Sequence, residues 1–217
     1  DASFGVRANG TQQWLRQAAD ESGYLTAAPS PRGGSGIISW KHRNVLGLEA
    51  TTVVFAPRSL SHASFVMALK LENTGTTAVT GVRAYSLQNF HLGFGRPGVM
   101  AKLQANGETI VVHPGREIEE RGFAGVVVSR PIGPVSKAAA WTPASTAAEN
   151  GFRVVNETQG ELLDRTGTLP TGDDWASAFQ FDLGDLAPGQ SQWVAVVVAH
   201  HADPFAVATV RSWIDTF

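Results

Sequence analysis

Between Ser64 and Gly95 the chain alternates apolar and polar positions with a period of two. Phe65, Met67, Leu69 and Leu71 fall on one face of an extended segment, and Val66, Ala68, Lys70 and Glu72 fall on the other, which turns polar towards its end. Alternation of this kind specifies a strand with one face in a core. Asn73-Thr74-Gly75-Thr76-Thr77 supplies turn chemistry, because Gly and Asn accept the φ > 0 that a reversal requires. A second run, Ala78 to Leu92, is expected to return as the antiparallel partner and complete a central hairpin.

The remaining elements follow by the same reasoning. Phe4 to Trp14 has a strand pattern around an Asn9-Gly10 turn, and Gln12 to Ser22 fits a polar helix or a continued strand. Pro29 to Gly36 is a loop by composition; Ile37 to Trp40 and Leu46 to Phe55 are strands, the second rich in β-branched residues. Val99 to Leu103 and Glu108 to His113 flank Asn106-Gly107, a strong hairpin signal. Gly115 to Gly122 reads as a solvated, charged edge or loop, and Phe123 to Ser129 as a strand. Val135 to Ala148 fits a long loop or short helix, Phe152 to Val155 a short strand, and Glu161 to Asp174 a loop.

The last third is clearer. Phe179, Phe181 and Leu183 alternate with polar or small residues, and Gly184 to Ser191 (GDLAPGQS) turns the chain. Trp193 to Ala199 is apolar on both faces, as expected for a strand covered on both sides. Asp203-Pro204 is the expected N-cap and first position of a helix, whose stripe is Val207, Val210, Trp213, Ile214 and Phe217. The stripe reaches the final residue without a C-cap, so the 203–217 helix is expected either to lead into a further domain or to pack back on the sandwich.

At 217 residues the pattern fits one all-β sandwich domain over 1–217. A net charge of -2 and the lack of a Lys/Arg cluster argue against a nucleic-acid partner. No apolar run approaches the ~20 residues of a spanning helix, so no membrane partner is expected. There are no cysteines, which excludes disulfides, thiol catalysis and Cys-ligated zinc. Asp1 as first residue hints at processing, so an extracytoplasmic location (secreted or periplasmic) is slightly favoured.

Two pieces, LKLENTGTTAVTGVRAYSLQNFHLG (Leu69 to Gly93) and DLGDLAPGQSQWVAVVVAH (Asp182 to His200), resemble the N-terminal supersandwich, galactose-mutarotase-like domains of bacterial glycoside hydrolases and phosphorylases. That resemblance implies a mostly non-catalytic antiparallel β-sandwich leading through a helix into an (α/α)₆ barrel that holds the catalytic acid. It places no catalytic residue, cofactor or metal on a numbered position here. The partners it implies are an oligosaccharide or polysaccharide and a catalytic domain or partner chain, met through Trp213 and Phe217.

Several residues have the chemistry for a site. Trp40, Trp141 and Trp175 lie near Gly-, Pro- or Ser-rich segments and are the candidates for stacking on sugar faces, whereas Trp193 and Trp213 read as core. His91, at the end of the run to Leu92, is a candidate acid in a mutarotase-like reaction if a carboxylate faces it. His113 is a second candidate for that role. His200 and His201 with Asp203 have metal-like composition, but adjacent strand residues point to opposite faces, which favours a structural role. Asp173-Asp174 is a capped turn rather than a calcium site, and Glu117, Glu119 and Glu120 belong to a solvated run. The expected function is a non-catalytic β-sandwich module of a carbohydrate-active bacterial protein. The alternatives are a stand-alone carbohydrate- or protein-binding module, or an aldose-epimerase-like enzyme on the same fold.

Overall fold

Period-2 segments pair into two facing antiparallel sheets in the computed structural model, which describes residues 2–15, 21–24, 36–56, 63–90, 100–103, 108–113, 125–133, 136–141, 155–156, 161–162, 167–168 and 175–217. The strands of the first half are β1 (Ala2–Ala8), β2 (Thr11–Trp14), β3 (Glu21–Tyr24), β4 (Gly36–Val45), β5 (Leu48–Ala56), β6 (Ala63–Glu72), β7 (Val79–Phe90), β8 (Met100–Leu103) and β9 (Thr109–His113). Those of the second half are β10 (Gly125–Ile132), β11 (Lys137–Trp141), β12 (Val155–Asn156), β13 (Glu161–Leu162), β14 (Gly167–Thr168), β15 (Trp175–Leu186) and β16 (Ser191–His201), before helix α1 (Val207–Ile214). A five-stranded sheet runs β11-β15-β7-β1-β2, and a nine-stranded sheet runs β14-β8-β9-β10-β16-β6-β5-β4-β3. The expected antiparallel all-β sandwich with a C-terminal helix is the architecture found.

The expected central hairpin does not form. β6 pairs with β5 and β16, while β7 pairs with β1 and β15, so Asn73 to Ala78 crosses from one sheet to the other. Alternation fixes which face of a strand is buried, but it is silent about the partner strand. Met67, Leu69 and Leu71 from one sheet meet Val82 and Ala84 from the other in a shared core, which an arch satisfies as well as a hairpin. The β15–β16 connection makes a second arch alongside the first, and fully buried Asn73 joins the two. Its backbone N–H donates to Gln190 O at 2.9 Å, and its carbonyl accepts from Gly189 N at 2.7 Å. Its side-chain Nδ2 donates to Thr77 O and Leu186 O, both at 2.8 Å.

The Asn9-Gly10 turn forms as read, with φ of 50° and 78°, so β1 and β2 are a two-residue hairpin. The turn between β4 and β5 has similar angles, but Leu46 rather than Asn takes the first, left-handed position (φ 56°). That conformation is costly for a branched side chain, and Leu46 offsets it by packing on the core. β8 and β9 pair antiparallel on either side of Asn106-Gly107, with Leu103 opposite Thr109, and the turn itself lies outside the described residues. Lys137–Trp141, expected in a loop or short helix, is an edge strand instead, because the ladder offered by β15 outweighs the weak strand preference of its alanines.

β16 is covered on both faces only towards its end. Val194, Val196 and Val198 enter the core between the sheets, while Val197 and Ala199 meet Val210 and Ile214 of α1. Burying each of those two helix side chains contributes about 1.5–3 kcal/mol. Trp193 is not core: it is 56% exposed, because α1 covers the outer face only from Val197 onwards. The helix also starts later than Asp203-Pro204 suggested. Asp203 Oδ1 accepts from Phe205 N at 2.9 Å and its carbonyl accepts from Ala206 N, closing a turn ahead of the helix. Ala206 occupies the N-cap without a side-chain cap.

Candidate functional site

The three candidate tryptophans do not converge. Trp40 is half-buried on β4, opposite Thr52 and Ser22 in the nine-stranded sheet. Trp141 and Trp175 occupy the other sheet, where Trp141 lies opposite Ala176 and Trp175 opposite Phe90. Those two therefore sit at one end of the sandwich, away from the arches. His91 follows Phe90 but lies outside the described residues, as do Glu117, Glu119, Glu120, Asp173 and Asp174. The side chain of His113 on β9 likewise lies outside them.

His201 is held as a strand-end residue. Its Nδ1 accepts from Asp203 N at 2.9 Å, and its ring lies 5.5 Å from that of Trp213, tilted by 43°. His200 takes the next register position, opposite Val127 and Ala63, so the pair does not share a face. Among the described residues no three metal-ligating side chains cluster.

Towards the end that holds Trp175, the interior between the sheets turns polar. Ser86 and Gln88 continue the inward series of Val82 and Ala84, and Ser177 continues that of Phe179 and Phe181. The Gln88 amide donates to Ser86 Oγ, while its Oε1 accepts from Ser177 Oγ at 3.1 Å and from Ser129 Oγ at 3.4 Å. Ser129 belongs to the opposite sheet, so this buried amide links the two layers. An amide and three hydroxyls bind and orient, and none of them titrates near neutral pH. The signal was present in the sequence: Ser86 and Gln88 fall where the period-2 pattern calls for apolar residues.

A second feature fixes α1. Glu108 is 1% exposed and accepts from Arg130 Nε at 2.9 Å and Nη2 at 2.6 Å. It also accepts from Arg211 Nε at 2.7 Å and from Arg211 Nη2. Arg130 reaches Asp215 as well, at the end of the helix. Burial works against the Arg130 charge, but the hydrogen bonds to Asp215 and Glu108 outweigh it and raise its pKa. Sequence reading missed this cluster, because its members lie on three separate elements.

Beyond that anchored end, two large apolar side chains on the outer face of the nine-stranded sheet are exposed among the described residues. Ile132 (43% exposed) lies opposite Ala195, and Trp193 is two residues further along the same face of β16. Phe217, 42% exposed, follows the Asp215 that Arg130 holds.

No protein-family model and no curated protein matches the chain. Among solved structures it is similar to a protein of Escherichia coli K12 assigned as an aldose 1-epimerase, at 10% identity and a TM-score of 0.46, over 91% of this chain and 78% of that one. It is also similar to a protein from the human microbiome assigned as a kojibiose phosphorylase, at 7% identity and a TM-score of 0.45, over 98% and 24% of the two chains. A polysaccharide lyase aligns at 15% identity and a TM-score of 0.43, over 93% and 25%. The chain thus spans about a quarter of the phosphorylase and of the lyase. With each TM-score under one half, none of them transfers an activity to this chain.

Proposed function

We propose that the chain is a non-catalytic β-sandwich module of a bacterial carbohydrate-active protein, which borders a saccharide site and docks against a catalytic domain or partner. The observation that supports docking is the exposed apolar pair Trp193 and Ile132 on one sheet face, beside a helix clamped through Glu108. Exposed large apolar side chains gathered on one rigid face are a mark of an interaction surface. The saccharide part is supported by the resemblance of the two arch-forming segments to supersandwich domains. Polarimetry on freshly dissolved aldose anomers tests the non-catalytic reading, with interconversion expected at the solvent rate. Acceleration that His91→Ala abolishes would replace it with an epimerase.

A second reading, direct glycan binding by a stand-alone module, draws on the placement of Trp141 and Trp175 at the same end of the five-stranded sheet. In that case, substituting either residue by Ala weakens oligosaccharide binding measured by tryptophan fluorescence, and an unchanged affinity removes it.

A further inference from the structure

The outer face of the five-stranded sheet carries a small buried cluster of Tyr85, Leu87, Leu162 and Ala178, with Trp14 packed at its margin and a charged row beside it that the docking surface does not use. One row across it runs Lys137, Gln180, Tyr85, Gly5, Trp14, each residue opposite the next in register. The adjoining row runs Asp182, Arg83, Arg7, Gln12. Gly5 has no side chain, so the Trp14 ring folds down over it. A Cβ at Gly5 would stand 2.8 Å from Trp14 Cε3 and 2.9 Å from Cδ2. The indole lies 6.2 Å from the ring of buried Tyr85 and remains only half-buried itself.

The second row is electrostatically unbalanced. Arg7 and Arg83 lie directly opposite one another, and like charges in that position destabilise a sheet. Asp182 answers Arg83, with its Oδ1 3.1 Å from Arg83 Nε, and is itself held by Gln180 Nε2 at 2.9 Å. Among the described residues Arg7 has no carboxylate partner. Beside it, Gln12 keeps its Oε1 covered and without a hydrogen-bond donor. A flat aromatic platform, two guanidiniums and an unused acceptor amide are the complement of a sugar ring that bears a carboxylate. Its C–H face stacks on Trp14, its carboxylate meets Arg7 and Arg83, and a hydroxyl donates to Gln12 after rotation of the amide.

We infer that the face formed by Trp14, Arg7, Arg83 and Gln12 is a binding site for an acidic, uronate-type oligosaccharide. This rests on the reading that the module serves a carbohydrate-active protein, and it adds the charge class of the sugar and its place on the fold. The site is one of binding alone, with no bond made or broken.

Isothermal titration of the whole chain tests it with trigalacturonate, with maltotriose as a neutral trisaccharide, and with inorganic sulfate as a bare anion. Trigalacturonate is expected to bind saturably, and more weakly at high ionic strength. Arg7→Gln and Trp14→Phe should each weaken it by about tenfold or more, and maltotriose should bind worse by a similar factor. Arg7→Gln relieves the like-charge pair, so without ligand it should melt no lower than the parent. That shows a loss of binding to be no loss of fold. Trigalacturonate affinity unchanged in both variants overturns the site while leaving the carbohydrate reading standing. Arg7-dependent binding of sulfate with no binding of either sugar overturns the saccharide assignment and counts against the carbohydrate reading as well. No binding of any of the three overturns the site, and the docking test on Trp193 then stands by itself.

Discussion

Asn73 donates a hydrogen bond from its side-chain amide to the carbonyl of Leu186, 113 residues away, at 2.8 Å, and so ties together the two arches that carry the chain between sheets. The two segments that resemble supersandwich domains are the ones this contact joins. Their likeness therefore has a physical basis: a buried Asn must find carbonyl partners, and the L-A-P-G-Q-S turn presents one.

Replacing Asn73 by Ala should destabilise the fold by about 1–3 kcal/mol, since it strands the buried carbonyl of Leu186 and removes the part-buried bond to Thr77. Asn73→Asp should cost at least as much, because a carboxylate there faces two acceptors with nothing to donate. Urea denaturation midpoints check both. A loss below about 0.5 kcal/mol for Asn73→Ala would place the arch contact among ordinary surface interactions.

How much of this was legible follows from what a period-2 pattern encodes. The core faces of β6 and β15 were legible, because alternation names the buried side directly. The Asn9-Gly10 reversal and the pairing of β8 with β9 were legible because turn chemistry is local. The partner of β6 was not, since Asn73-Thr74-Gly75 suits an arch as well as a hairpin. Trp193 misled because an apolar run does not say where a covering helix begins. Glu108 could not be found, because Arg130 and Arg211 approach it from a strand and a helix far apart in sequence. Of the candidate tryptophans, the sequence could suggest each residue but not the register that places Trp141 and Trp175 at one end of the five-stranded sheet.

Glu108→Gln should release α1 from the sheet. The substitution leaves the part-exposed Arg130 and Arg211 facing a neutral amide, and losing these charge-assisted hydrogen bonds costs about 1–3 kcal/mol. Hydrogen exchange over Val207–Ile214 should quicken more than exchange in β1 or β7, which share no contact with the cluster. Uniform acceleration across the chain would mean that the helix and the sandwich unfold as one unit.

Tyr85 makes stability fall at high pH. Burial raises its pKa above the ordinary 10.0, and this outweighs the opposing pull of Arg83 and Arg7. The folded state thus keeps the phenol protonated where the unfolded chain releases the proton. The stability tied to the neutral phenol is complete below pH 10.0 and is lost as pH rises through the higher folded value. The chain has two tyrosines, so Tyr85→Phe isolates the effect. Urea midpoints of parent and variant should converge or cross above that pH, and a constant difference from neutral to strongly alkaline conditions would contradict the assignment.

Trp193 and Trp213 should behave oppositely although both lie in apolar stretches of sequence. Trp193 stands 56% exposed beyond the helix, so Trp193→Lys should change stability by no more than about 0.5 kcal/mol. Trp213 is half-buried and packs on His201 and the cluster beneath α1, so Trp213→Ala should cost about 1–3 kcal/mol. Acrylamide should quench a large share of the parent emission and a smaller share in the Trp193→Lys variant. If Trp193 is the centre of a docking surface, the Trp193→Lys variant should also lose association with the partner domain supplied in trans, while its urea midpoint stays at the parent value. Equal destabilisation by the two substitutions would instead put Trp193 inside the fold and remove the ground for docking at that face.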